Sequence, residues 1–298
     1  MRIYKIKEKA KMDKGLQKWN YGAAALHLGA AIAASVLLKS KSKRIVQMTR
    51  QKFDANASTE LSDSRVDIPV TLENDATVDL KSIVIAFFAI TSVAHLLYAT
   101  DFFGKGWYSS QIMGFGWNPF RWVEYSLSAS LMIYLISAVS GTKDQVSAVS
   151  AALITPGLMI NGFTVERALK QNALSSWTSN LGGIKPEIDA EIVFSNILPG
   201  WALFGVHWYI ILSNYTKLAS EAKAANQDLD PSVTFMVFSQ LIFFSLFGAI
   251  QSYQVYRWFT SRESRAEPSY IAYEKAYIVL SAVTKLLLAG TVAYSLRN

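Results

Sequence analysis

The sequence predicts an all-α integral membrane protein, with seven helical spans in one bundle and a β-hairpin outside the bilayer between the first two. Three observations carry this. The 298 residues are 51% hydrophobic and only 17% charged, with mean hydropathy +0.22, more apolar and less charged than a soluble domain of this size. Seven stretches are long and apolar enough, at ~1.5 Å of rise per residue, to cross a ~30 Å hydrocarbon core. Residues 39–81, between the first two, are polar and alternate with strand periodicity. No internal repeat or low-complexity tract interrupts the chain, which reads as a single domain over residues 1–298.

Composition removes several function classes. There is no cysteine, so disulfides and cysteine-based metal or redox chemistry are excluded, and no metal site is expected. The net charge of +7 does not point to nucleic acid, because the basic residues gather at the ends of apolar segments and serve membrane orientation. Nothing in the pattern suggests an enzyme.

Segment A spans about Trp19–Leu38 and is rich in Ala and Gly, which suits close packing in lipid. The basic stretch before it resembles the start of a signal peptide, but equally apolar segments follow, so A reads as a retained span. In the polar stretch, Val66, Ile68, Val70 and Leu72 alternate, and Arg44–Phe53 can supply a partner strand. Segment B covers about Ser82–Ala99. Segment C runs Pro119–Ser140, its proline in the first turn. Gly141 allows a short link to D, about Asp144–Val165. Segment E is about Ala190–Asn214, F about Ser232–Phe259 and G Tyr270–Leu296. Pro156 and Pro199 fall inside D and E, where neighbouring helices can satisfy freed carbonyls. Seven basic residues precede Trp19, and four, Lys39, Lys41, Lys43 and Arg44, follow A. That asymmetry places the N-terminus in the cytoplasm and the C-terminus outside.

Segment G carries the residue of greatest interest. Lys285 lies near its midpoint among Val283, Leu286, Leu287 and Leu288, too deep to reach either interface easily. An ammonium there costs several kcal/mol unless it is paired or chemically modified. Two readings stay open on this helix alone: an interhelical ion pair, or a lysine that forms a Schiff base. Glu124 on C is the best-placed partner. Ser128 and Ser281 each lie one turn from a charged neighbour and can face it. His27 on A and His95 on B share the half of the membrane where C begins, so they join Glu124 in a polar cluster. Glu191 and Glu274 open E and G as ordinary carboxylates at helix N-termini, and His207 reads as structural. Trp201, Phe204 and Trp208 on E, and Phe243, Phe244 and Phe247 on F, with Met132 on C, are core candidates that could also wall a slot for a flat polyene.

The strings RWVEYSLSASLM on C and YEKAYIVLSAVTKLLLAG on G, with His27 and His95, resemble the heliorhodopsins, seven-helix retinal proteins distantly similar to the microbial rhodopsins. The likeness covers essentially all seven spans. It implies a rhodopsin-like bundle in which Lys285 carries all-trans retinal as a protonated Schiff base, with Glu124 as counterion. It also implies that His27 and His95 accept protons in a cytoplasm-facing cavity, that Arg121, Ser128 and Ser281 neighbour the charged pair, and that the hairpin joins a homodimer interface. The microbial pumps carry a second carboxylate one turn before their lysine, where Ser281 stands here, and an internal proton donor where Leu135 stands. A slow light sensor is therefore expected rather than a pump. Light-gated proton conductance, with Glu191 at its mouth, is the alternative. A bundle without chromophore, locked by Lys285 and Glu124, is a third class. No downstream signalling partner is visible in the sequence.

Overall fold

The computed structural model describes residues 14–38, 45–53, 61–62, 65–66, 70–102, 104, 107–109, 112, 117–179, 190–260 and 268–297, with the side chains of 170–192 and most of 50–73 outside that description. Seven long helices are described: α1 Lys14–Leu37, α2 Leu80–Ala99, α3 Pro119–Val139, α4 Gln145–Ser179, α5 Ala190–Ala224, α6 Pro231–Thr260 and α7 Pro268–Arg297. They correspond to segments A to G. Six of them are long and apolar enough to cross a membrane. The exception is α5, whose span carries Ser195, Asn196, Pro199 and His207. Both α4 and α5 run well beyond the expected ends at Val165 and Asn214. Apolarity marks only the depth in contact with lipid, whereas the backbone ladder continues into polar sequence.

Local signals start the helices where the sequence allows. The Asp79 carboxylate accepts from the Lys81 N–H at 3.1 Å and caps α2. The Asn118 amide oxygen accepts from the Arg121 N–H at 3.2 Å, with Pro119 beginning α3. Between α3 and α4, Gly141 adopts φ +97°, and a Cβ there would lie 2.7 Å from the Leu218 Cβ. This close approach lets a short turn return the chain antiparallel.

Residues 45–53 and 70–79 pair as the expected hairpin. Strand β1 (Ile45–Phe53) pairs antiparallel with β4 (Val70–Asp79) from Ile45 opposite Asp79 to Phe53 opposite Val70, with a register shift between Met48 and Thr49. The short strands β2 (Leu61–Ser62) and β3 (Arg65–Val66) pair with each other. Strand β4 carries Val70 and Leu72 of the alternating residues, with Val66 in β3 and Ile68 outside the described residues. It feeds directly into α2. The hairpin sits on the α3–α4 turn: the Thr49 N–H donates to the Lys143 carbonyl at 2.8 Å. Met48 and Val78 are buried in the same cluster as Leu80, Ala148 and Ala151.

Around the bundle each helix packs on its neighbours in chain order, and α7 closes the ring against α1. The α3–α4 seam is tight. A Cβ on Gly162 would collide with the Trp122 ring, and Trp122 is itself held by its indole N–H donating to Glu166 at 2.8 Å. Gly205 on α5 has open space instead. Gly162→Ala should therefore cost about 1–3 kcal/mol by overpacking, while Gly205→Ala should be neutral or slightly stabilising. Thermal unfolding of the two variants in detergent checks this: only Gly162→Ala should lower the midpoint.

Candidate functional site

One face of α3 supplies Arg121, Glu124, Tyr125, Ser128 and Met132, spaced by three and four residues and all buried. One turn of α7 supplies Ser281 and Lys285. They meet in the bundle core. The Lys285 ammonium donates to the Ser281 hydroxyl at 2.7 Å and lies 3.5 Å from Glu124 Oε1, with the two charged side chains only 3% and 6% exposed. Glu124 Oε1 also accepts from the Ser128 hydroxyl at 2.7 Å and closely from Thr91 on α2. So Ser128 and Ser281 stand where the spacing put them. Thr91 went unnoticed in the sequence, although it lies one turn before His95 and so on the same face.

The two histidines come together with rings 5.7 Å apart, nearly parallel at 23°. Their hydrogen bonds fix their tautomers. His27 Nδ1 lies 2.7 Å from the Ala23 carbonyl, which can only accept, so Nδ1 carries the proton. Asn20 donates its amide N–H to the Leu16 carbonyl at 3.0 Å and turns its oxygen to His95 Nδ1 at 2.8 Å, so that nitrogen also donates. In both neutral rings the basic nitrogen is therefore Nε2.

Arg121 departs from expectation. Though one turn from Glu124, its guanidinium turns toward the start of α3, where it pairs closely with Glu166 on α4 and at 2.5 Å with Glu274 on α7. It is thus not a hydrogen-bonding neighbour of the Lys285–Glu124 pair. Its flat face lies 4.0 Å from the Tyr277 ring centroid. Glu166 further accepts from Trp122 at 2.8 Å and Tyr270 at 3.0 Å, and Glu274 from Asn118 at 2.7 Å and Tyr108 at 3.0 Å. Glu274, expected as an ordinary carboxylate at a helix N-terminus, is therefore a buried ion-pair member, because Arg121 reaches it. Glu166 was missed: it lies just past the expected end of segment D. A chain of hydrogen bonds links the two clusters, from His95 to Asn20, from Asn20 to Tyr108 at 3.2 Å, and from Tyr108 to Glu274.

Beside Lys285 a slot runs across the bundle, walled by Tyr125, Met132, Trp201, Phe204, Phe244 and Phe247. Phe243 is not on this wall. One residue of helical rotation turns it out to a groove on the outer face of α6 and α7, with Val279 and Val283. Trp208 is buried behind the slot, at ring distance from Phe244. His207, expected as structural, lines the slot itself. The side chain of Glu191 lies outside the described residues. Among the described residues no cluster of His, Asp and Glu could hold a metal ion.

A family model described as Heliorhodopsin matches residues 16–295, nearly the whole chain. The chain belongs to the heliorhodopsin family. Membership implies a retinal-binding, rhodopsin-type photoreceptor embedded in the membrane by several spans. The slot fits such a group: the buried Lys285 amine lines it together with the aromatic rings of Tyr125, Trp201, Phe204, Phe244 and Phe247. No curated protein matches the chain.

The ion-paired triad of this heliorhodopsin makes a direct prediction. Arg121→Gln leaves two buried carboxylates without their cation, a loss of about 3–5 kcal/mol. Arg121→Lys should recover only part of this, since one ammonium cannot reproduce a planar fork between two acids. Unfolding midpoints of the three proteins should fall in the order wild type, Lys, Gln.

Proposed function

We propose that the protein is a light sensor in which Lys285 attaches all-trans retinal through a protonated Schiff base and Glu124 compensates its charge. The observation that carries this is the Lys285 amine itself, buried beside an aromatic slot with one carboxylate in reach. The bound polyene supplies absorption of visible light and a change of shape on excitation. This chain's residues do the rest. Glu124 holds a positive charge at the Lys285 nitrogen in a medium where Coulomb attraction is strong. Thr91 and Ser128 keep its carboxylate aimed by two hydroxyl donors. His27 and His95, each with Nε2 as base, form the acceptor cluster for a proton leaving that pair.

Light-gated proton conductance is the competing reading, supported by the hydrogen-bonded chain from His95 to Glu274. One member weakens it. Asn20 stands in the middle, and an amide orients its neighbours without exchanging a proton as a hydroxyl or imidazole does. The chain therefore serves to hold His95 in one tautomer, which favours the sensor, and the Glu191 mouth stays a part of the conductance reading alone. The sensor reading has one domain, a cytoplasmic N-terminus, as the excess of seven basic residues before the first span over the four just after it suggests, and a homodimer with the hairpin at its interface.

Apoprotein mixed with all-trans retinal should gain a visible band that hydroxylamine bleaches, and Lys285→Ala should not. Glu124→Gln should move that band to longer wavelength by removing the fixed anion; an unmoved band rules out Glu124 as counterion. Voltage-clamped cells should show no sustained photocurrent, whereas a current that follows the proton gradient establishes conductance.

A further inference from the structure

The slot beside Lys285 is not uniformly apolar. Most of its polar side chains are occupied by protein: Ser281 takes the lysine, the Gln251 amide donates to the Gly162 carbonyl at 2.8 Å, and Trp201 donates to Ser252 at 3.1 Å. Asn161 donates to the Gly157 carbonyl at 3.0 Å, and Thr284 to that of Leu280 at 2.6 Å. On α7 itself the Tyr277 hydroxyl has no hydrogen-bond partner among the described residues, and on the wall across the bundle two further residues differ. Thr155 on α4 and His207 on α5 are each 1% exposed and line the slot, yet among the described residues neither the Thr155 hydroxyl nor either ring nitrogen of His207 has a hydrogen-bond partner. Among the described residues, the rings of Phe204, at 5.6 Å, and Trp208, at 5.7 Å, pack beside His207.

Leaving a buried polar group unmade costs about 1–3 kcal/mol each. A neutral imidazole offers one donor and one acceptor, and a threonine hydroxyl offers both. The group complementary to that pair is another hydroxyl, which can accept from one and donate to the other.

Resting on the reading of Lys285 as the attachment point, we infer that Thr155 and His207 form a hydrogen-bonding subsite for an oxygen substituent on the ring end of the polyene aldehyde. The favoured ligand class is then a ring-hydroxylated retinal, with plain retinal as a weaker ligand. A polyene attached at Lys285 and lying in this slot would have Thr155 and His207 in its lining, on helices other than the one that holds its attachment point. The subsite selects by the rule that a site built for a hydroxyl discriminates against the analogue that lacks one, because its own polar groups stay unpaired.

Competition between all-trans retinal and its ring-hydroxylated analogue for purified apoprotein tests this, read as the ratio of the two bound species after extraction. Wild type should favour the hydroxylated aldehyde by roughly tenfold, the worth of one net hydrogen bond. His207→Phe and Thr155→Val should each bring the ratio close to one, and because it is measured within each variant, a change in total loading does not disturb it. A wild-type ratio of one overturns the subsite while leaving the photoreceptor reading intact, as does a preference that survives in both variants. If neither aldehyde gives a hydroxylamine-sensitive band, the attachment itself fails, and the subsite with it.

Discussion

An ammonium in the middle of a membrane span must find an anion, and the packing of α2, α3 and α7 meets that requirement. Lys285 and Glu124 are almost wholly buried, and each is held by hydroxyls as well as by the other. A buried pair of this kind contributes little net stability over an apolar substitute, yet losing one member leaves a charge stranded at several kcal/mol. The arrangement therefore fixes which faces of α3 and α7 point inward. Once they do, the slot, the histidines and the second ionic cluster follow from helical periodicity.

That second cluster works on the same principle nearer the end of the bundle where α3 begins. Arg121 gathers Glu166 from the next helix and Glu274 from the last, and so ties α3, α4 and α7 together. Tyr108 and Asn20 join it to His95, so the tautomer of a residue beside Glu124 depends on a network anchored a helix away. The hydrogen bonds from His95 through Asn20 and Tyr108 to Glu274 couple orientations along the bundle, not protons, because the Asn20 amide stands among them.

Much of this was legible in the sequence because the bilayer is a demanding solvent. It forces apolar length, so all seven helices were found, and it makes polar residues at depth rare enough that Lys285, Glu124, His27 and His95 stood out. The β1 strand was legible from its neighbours, while the paired length of β4 was not, since Asn74, Asp75 and Thr77 break the alternation. Glu166 was missed and Glu274 misjudged for one reason: near a span's end, hydropathy cannot separate a carboxylate facing water from one facing an arginine. His207 and Phe243 exchanged places for another. Sequence gives the helical angle between residues on α5 or α6, but the absolute rotation of each helix is set by packing that only three dimensions reveal.

The central claim is that the Lys285 nitrogen is the point of covalent attachment. Borohydride reduction of retinal-loaded protein, followed by proteolysis and mass mapping, reads it directly. The account predicts a retinyl group on the peptide containing Lys285 and on no other lysine. A retinyl group on a different lysine, or unmodified Lys285 in protein that has gained the visible band, would contradict it.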